Sequence, residues 1–159
     1  MGYKLGTVDG KAVLIKENSY YDIATLSNGA ISSDSVEALK FQSKLSELFE
    51  SLDEKNATGN LSDVELGNPV PNSPNCYAVG LNYRKHAEES GMDIPEVPMI
   101  FTKHTSCFVG PKANVEMRSD YVDWEVELVA VIGKDGKNIP KENALEHVAG
   151  LCIGQDISD

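Results

Sequence analysis

The chain has 159 residues, of which 41% are hydrophobic and 25% are charged, as is typical of a soluble globular protein. Its formal net charge of −11 at pH 7 argues against nucleic acid and anionic membrane surfaces as partners. The same charge is compatible with acidic side chains that bind cations.

The sequence carries no targeting signal that we recognise. No apolar run approaches the length that crosses a bilayer, and the N-terminus lacks the apolar segment of a signal peptide. Cys76, Cys107 and Cys152 are widely spaced and form no C-x-x-C pair, which favours reduced thiols and argues against a zinc site. We therefore expect a cytoplasmic protein.

Residues 1–70 are predicted to form a small α+β lead-in domain. "YKLGTV" and "KAVLIK" flank Asp9-Gly10, a dipeptide suited to the type I′ turn of a β-hairpin, and "YYDIATL" predicts another strand. A helix is predicted from Ser33 to Leu52, with Ser33 or Asp34 as its N-cap. Its apolar face is expected to pack on its own domain rather than on a partner.

The segment "GNPVPNSPN", residues 67–75, is predicted to be a linker before a second domain, residues 71–159. That domain should contain the strands "CYAVGLN", "VPMIFTK", "WEVELVAVIG" and "LCIGQD", with a short helix in "YRKHAEESG". A second helix is predicted in "PKENALEHVAG", with Pro140 in its first turn and Gly150 after its end. A turn is predicted at Asp135-Gly136. The fold class is therefore α+β, mainly β.

The stretch "VDWEVEL" places three acidic residues at alternate positions of a predicted strand, where they share one face: Asp123, Glu125 and Glu127. One interpretation is a strand with a wet face. The other is a cation site, because the apolar run "LVAVIG" continues the strand into the interior of a sheet and clustered carboxylates require compensation. Mg²⁺, Mn²⁺ or Ca²⁺ would suit oxygen ligands, and Asp156 is placed to supply a third.

Two further positions could carry chemistry. His86 and Glu89 are three residues apart, so on a helix they are neighbours, and a carboxylate beside an imidazole can help it to activate water. An ordinary charged surface helix would show the same spacing. Lys103 ends a predicted apolar strand, and it becomes a candidate for binding an anionic substrate only if the other sites lie nearby.

The segment "YAVGLNYRKHAEESGMDIPEVPMIFTKHTSCFVGP" contains a G-x-N-Y-x-x-H-x-x-E core. It is similar to the opening block of the fumarylacetoacetate hydrolase family, in particular of its bacterial-type 2-oxo acid hydrolases, hydratases and isomerases. "VDWEVELVAVIGKDGKNIP" resembles its D-[YW]-E-x-E-L metal block, and "ALEHVAGLCIGQDISD" resembles the block of the third metal acid. The resemblance covers residues 76–159 and implies a β-roll or sandwich core.

The resemblance implies a role for each candidate. Glu125, Glu127 and Asp156 fall on the acids that hold a divalent cation, usually Mg²⁺ or Mn²⁺, with Ca²⁺ as an alternative in crystals. Asp123 is given a supporting role. His86 and Glu89 fall on the pair that activates water, and Lys103 falls on a lysine near the substrate.

The implied function is hydrolysis of a C–C bond in a small acylpyruvate-like 2-oxo acid, through water activated by the His–Glu pair and an enolate stabilised by cations. The same site could instead decarboxylate a 2-oxo acid, hydrate a 2-oxo-alkenoate or isomerise an unsaturated dicarboxylate. A hypothesis of another class is a non-catalytic fragment or scaffold.

The sequence departs from the family pattern at its end. Family members continue with an Arg soon after D-x-S and with a later G-K-x-x-D-T-type block, whereas the sequence stops at Asp159. A shorter natural protein is one interpretation, but we expect an incomplete catalytic core, because its sheet would otherwise be left with open edges. Kinship alone implies a homodimer.

Overall fold

The computed structural model describes residues 2–159 and is rich in strands, as expected for a mainly β protein. Its strands are β1 (Lys4–Val8), β2 (Lys11–Lys16), β3 (Ser19–Asp22), β4 (Gly59–Asn60), β5 (Cys76–Gly80), β6 (Met99–Lys103), β7 (Asp123–Ile132) and β8 (Val148–Ser158). Its α-helices are short: α1 (Ile23–Leu26), α2 (Ser35–Ala38), α3 (Gln42–Glu50) and α4 (Arg84–Glu89).

Strands β1 to β4 form one antiparallel sheet in chain order. The predicted hairpin is confirmed: Val8 pairs with Lys11, and Asp9 and Gly10 both have positive φ, 50° and 74°, as a type I′ turn requires. Strand β3 is shorter than predicted. The chain turns into α1 because the Asp22 side chain accepts a hydrogen bond from the Thr25 amide at 2.7 Å and caps the helix.

The predicted helix between Ser33 and Leu52 is divided into α2, a 3₁₀ turn at Leu39–Phe41, and α3. Phe41 breaks the helical geometry with φ −112° and ψ 39°, so the prediction of one continuous helix is wrong. The Asp34 cap is confirmed, because its side chain accepts a hydrogen bond from the Glu37 amide at 3.0 Å.

One hydrophobic core lies between this sheet and its helices. Leu45 of α3 is fully buried within it, which confirms that the helical segment packs on its own sheet. The core residues are Ala12, Leu14, Tyr21, Ile23, Ile31, Ala38, Leu45 and Leu52.

The predicted linker contains no helix or strand, but hydrogen bonds tie its sequence to the first sheet and its helices. The Gly67 amide donates to the Thr7 carbonyl at 2.9 Å, and the Thr7 hydroxyl donates to the Asn68 carbonyl at 2.9 Å. Further along, the Asn72 side-chain amide donates to Asp34 at 2.9 Å. The segment is thus attached to the lead-in region, and the domain boundary at residue 70 stays a prediction.

The second half contains two antiparallel strand pairs, β5 with β6 and β7 with β8. The predicted helix before β8 is wrong: Lys141–His147 forms a 3₁₀ helix that leads directly into β8, and Gly150 lies inside that strand. The predicted turn at Asp135-Gly136 is also displaced, because the positive φ falls on Asn138, at 54°.

Asp34 provides a test of how the linker is attached. The hydrogen bond from Asn72, followed by that from the Glu37 amide, lowers the pKa of Asp34 below its usual 3.8. A lowered folded-state pKa stabilises the fold above the unfolded-state pKa, and this stabilisation is lost as the pH falls through the folded-state value. Asp34→Ala should therefore cost about 1 kcal/mol of unfolding free energy at neutral pH, and less below pH 3.8.

Urea unfolding across this pH range would measure the effect. Glu96→Ala is the control, because Glu96 is an exposed carboxylate in the loop before β6. A cost for Asp34→Ala that stays constant from neutral to strongly acidic pH would contradict the assignment.

Candidate functional site

The acidic residues converge through the register of β7 and β8. Glu125 lies directly opposite Asp156, while Asp123 faces Ser158 and Glu127 faces Gly154. Directly opposed residues on an antiparallel pair have Cβ atoms about 4.5–5.5 Å apart. Three carboxylates from neighbouring positions, Glu125, Glu127 and Asp156, therefore share one face of the strand pair, as the alternation of the sequence predicts.

This acidic face is the shielded face of the strand pair. Glu125 and Glu127 are partly buried, whereas Trp124, Val126 and Leu128 on the opposite face are exposed by 69%, 57% and 61%. Two of the acids are therefore less exposed than the wet-face interpretation predicts, whereas Asp123 at the start of β7 is exposed. The expectation of a sheet interior is not met either, since within residues 2–159 β7 pairs with β8 alone.

Lys103 reaches the acidic face from the end of β6. Its ammonium donates a hydrogen bond to Oδ1 of Asp156 at 2.7 Å and lies 2.6 Å from Oδ2 in the same ion pair. The ammonium also lies 5.4 Å from the centroid of the Phe101 ring on the same strand. Lys103 therefore lies beside the acids, which is the condition under which we treat it as a candidate for binding an anionic substrate.

Ser158 supplies a second internal donor. Its hydroxyl donates to Oε1 of Glu125 at 2.7 Å, so Glu125 and Asp156 each have a partner within the chain. Sequence reasoning missed this role, although the alternation of Gly154, Asp156 and Ser158 in "GQDIS" places all three on the acidic face.

The charges on this face alter its titration. Burial raises the pKa of Glu127, and the nearby charges of Asp156 and Glu125 raise it further. The hydrogen bond with Asp156 raises the pKa of Lys103. Cys76, which pairs with Lys103 across β5 and β6, has its thiol pKa raised by burial and then by Asp156, so it is a protonated thiol at neutral pH.

The donor set suits a hard divalent cation. Three carboxylates on one face, neutralised by a single ammonium, leave uncompensated negative charge, and oxygen donors are those that Mg²⁺ and Mn²⁺ prefer. In the conformation described for residues 2–159, no three His, Cys, Asp or Glu side chains are close enough to share an ion. Contacts with Ser158 and Lys103 hold Glu125 and Asp156 instead.

A pocket of about 220 Å³ adjoins Lys103 at the ends of β5 and β6. Lys103 therefore borders both the acidic face and an open pocket. The pocket is lined by Pro74, Asn75, Cys76, Tyr77, Thr102, Lys103, His104 and Thr105.

His86 and Glu89 lie on α4, where only Ala87 is buried. Both side chains are exposed, and among the described residues no hydrogen bond or ion pair joins them to each other or to the acidic face. Their role as a water-activating pair stays a prediction.

Residues 75–159, more than half of the chain, match the family model described as "Fumarylacetoacetate (FAA) hydrolase C-terminal". The chain belongs to the fumarylacetoacetate hydrolase family. The resemblance in its three sequence blocks is confirmed.

Curated relatives of this fumarylacetoacetate hydrolase family member include enzymes. Oxaloacetate tautomerase fahd2 of Xenopus laevis is 40% identical over 99 residues, which are 61% of this chain and 31% of the relative. A fumarylacetoacetate hydrolase domain-containing protein 2 homolog of Dictyostelium discoideum is 46% identical over 82 residues, 50% of this chain and 27% of the relative. The matched segments of this chain thus span 31% and 27% of the length of these two relatives.

Solved structures of the family share the fold. A protein assigned as HpcE from Mycobacterium smegmatis is 37% identical with a TM-score of 0.84, over 97% of this chain and 55% of that one. A fumarylacetoacetate hydrolase from Exiguobacterium antarcticum is 28% identical with a TM-score of 0.69, over 99% and 56%.

None of the helices in residues 2–159 is long and apolar enough to cross a membrane. Since the Xenopus relative is mitochondrial by name, the cytoplasmic location of this chain stays a prediction.

Substitution of Gly154, which pairs with Glu127 across the two strands, tests the packing around Glu127. A Cβ added there would lie 2.7 Å from Cγ2 of Val129, so Gly154→Ala should destabilise the fold by about 1–3 kcal/mol. Gly150→Ala is the matched control on the same strand, because its Cβ would meet nothing within 4 Å, and its effect should stay within about 0.5 kcal/mol.

Val129→Ala removes the clashing methyl, so it should recover most of the loss in the double variant. Urea unfolding of the wild type, the two single variants and the double variant measures the coupling. If Gly154→Ala costs the same with and without the Val129→Ala substitution, the close contact is not the cause.

Proposed function

We propose that the chain forms part of a divalent-metal-dependent enzyme that acts on a small 2-oxo acid, with hydrolysis of a C–C bond in an acylpyruvate-like substrate as the reaction. The observation that carries the proposal is the placement of Glu125, Glu127 and Asp156 on one partly buried face, with Lys103 as their neighbouring cation. Membership in a family of named hydrolases and tautomerases supports it.

Glu125, Glu127 and Asp156 would hold the cation, Mg²⁺ or Mn²⁺. When bound, such an ion supplies Lewis-acid polarisation of the 2-oxo acid carbonyl and charge neutralisation. Lys103 borders the pocket beside this face, so its ammonium is placed to bind an anionic substrate and to stabilise negative charge that develops during the reaction.

His86 would act as the general base, with Glu89 one helical turn away to orient it and raise its basicity. The imidazole takes a proton from water, the water oxygen attacks the carbonyl distal to the 2-oxo acid, and the C–C bond breaks. The bond's electron pair remains on the 2-oxo acid fragment as an enolate, which then takes a proton. This role requires α4 to approach the acidic face.

A second candidate reaction is tautomerisation of oxaloacetate, which the names of several relatives favour. It needs the same 2-oxo acid binding and a proton transfer at carbon, but no attack by water. Assays with oxaloacetate enol and with an acylpyruvate, run side by side, would distinguish the two reactions by which substrate is consumed.

Measurements of Mg²⁺ and oxalate binding distinguish the enzyme hypothesis from that of a non-catalytic scaffold. Calorimetric titration with Mg²⁺ followed by oxalate, a mimic of the pyruvate enolate, should give an oxalate signal that depends on the metal. Glu127→Gln should abolish that signal because it removes a carboxylate ligand. Glu146→Gln, at an exposed position before β8, should leave it unchanged. A folded chain in which neither ligand binds would favour the scaffold.

His86→Gln tests the base separately from binding. Turnover of whichever substrate the side-by-side assays identify should fall by about 10²–10⁴, while the affinity for Mg²⁺ and oxalate stays the same. His147→Gln is the control, since His147 contacts the Lys134 carbonyl through Nδ1 at 2.9 Å and has no role in the proposed reaction. Unchanged turnover in His86→Gln would remove His86 from the mechanism.

A further inference from the structure

Lys103 forms an ion pair with Asp156, with a hydrogen bond to Oδ1 at 2.7 Å and a distance of 2.6 Å to Oδ2. The two side chains are only partly accessible, with exposed fractions of 31% for Lys103 and 18% for Asp156. Water therefore competes less with this ion pair than with pairs on an open surface. Among residues 2–159, no other basic side chain forms an ion pair with Glu125, Glu127 or Asp156.

This contact opposes the binding of a second cation to Asp156. A divalent ion ligated by Asp156 would share a carboxylate oxygen with Lys103, and the two positive charges would repel each other at such short range. An alternative position is open to Lys103, because its side chain also borders the pocket beside β5 and β6.

We propose that Lys103 is the resident counter-ion of Asp156 in the metal-free chain, and that a divalent cation displaces it toward the adjoining pocket. Lys103 then limits the affinity for the metal, and it becomes available to an anionic substrate only after the ion has bound. The inference rests on the metal site proposed above, and it adds an order of binding, metal before substrate.

Two substitutions at Lys103 give opposite predictions. Lys103→Met removes the competing charge but keeps an apolar stem, so Mg²⁺ should bind about five- to tenfold more tightly. Lys103→Arg supplies a planar guanidinium that matches a carboxylate bidentately, so Mg²⁺ should bind more weakly than to the wild type. If Lys103 served only to orient Asp156 for the metal, Lys103→Met would weaken binding instead.

Thermal unfolding without metal provides an independent measurement. Lys103→Met should lower the melting temperature of the metal-free chain, because Asp156 then faces Glu125 without a cation, and saturating Mg²⁺ should restore it. Lys112→Met is the matched control: Lys112 is 75% exposed and 4.0 Å from Glu65, and its loss should change neither measurement.

The decisive experiment is calorimetric titration of Mg²⁺ into the 159-residue wild type and the three variants. The order Met, then Lys, then Arg at position 103, from tightest to weakest, supports displacement. An affinity for Lys103→Met that is equal to or weaker than wild type overturns it but leaves the metal site intact. Absence of Mg²⁺ and Mn²⁺ binding in every variant overturns the metal site itself.

Discussion

The antiparallel register of β7 and β8 is the constraint from which the site follows. It places Glu125 directly opposite Asp156 and puts Glu127 on the same face, so like charges are brought together by backbone pairing alone. Opposed like charges destabilise a strand pair unless a cation compensates them. In this chain the compensation comes from β6, whose last residue delivers the ammonium of Lys103 to Asp156. The ion pair between Lys103 and Asp156 thus links the two strand pairs and partly neutralises the acidic face.

The distribution of polarity across β7 and β8 is the reverse of an ordinary surface hairpin. The three carboxylates of the site lie on the less exposed face, whereas the apolar side chains of Trp124, Leu151 and Ile153 are exposed by 69%, 64% and 75%. Shielding strengthens each electrostatic contact among the acids, because the effective dielectric constant falls as water is excluded. The raised pKa of Glu127 is one result of this environment.

Part of the structure was predictable because it depends on interactions between residues that are close in sequence. The Asp9-Gly10 turn, the Asp34 cap and the shared face of the acids each depend on residues close in sequence or on a two-residue period. The break at Phe41 and the 3₁₀ helix before β8 were not predictable in this way, because apolar spacing alone does not distinguish a continuous helix from short helical turns.

The long-range part of the site required the structure. Lys103 and Asp156 are 53 positions apart, and no periodicity connects them, so their contact depends on how the two strand pairs pack. The hydroxyl of Ser158 could have been placed by strand alternation, but its bond to Glu125 depends on the register. The family motifs identified the acids and the lysine as candidates without indicating that they bind each other.

Burial is concentrated at one end of the sequence. Among the described residues, every buried side chain except that of Ala87 belongs to residues 7–52, around the first sheet. Native-state hydrogen exchange should therefore report unequal protection. The amides of β1 to β3 would exchange only through openings of high free energy, and those of β5 to β8 through local openings of lower free energy. A site assembled in the less protected part can rearrange its ion pairs without unfolding the part that holds the chain together.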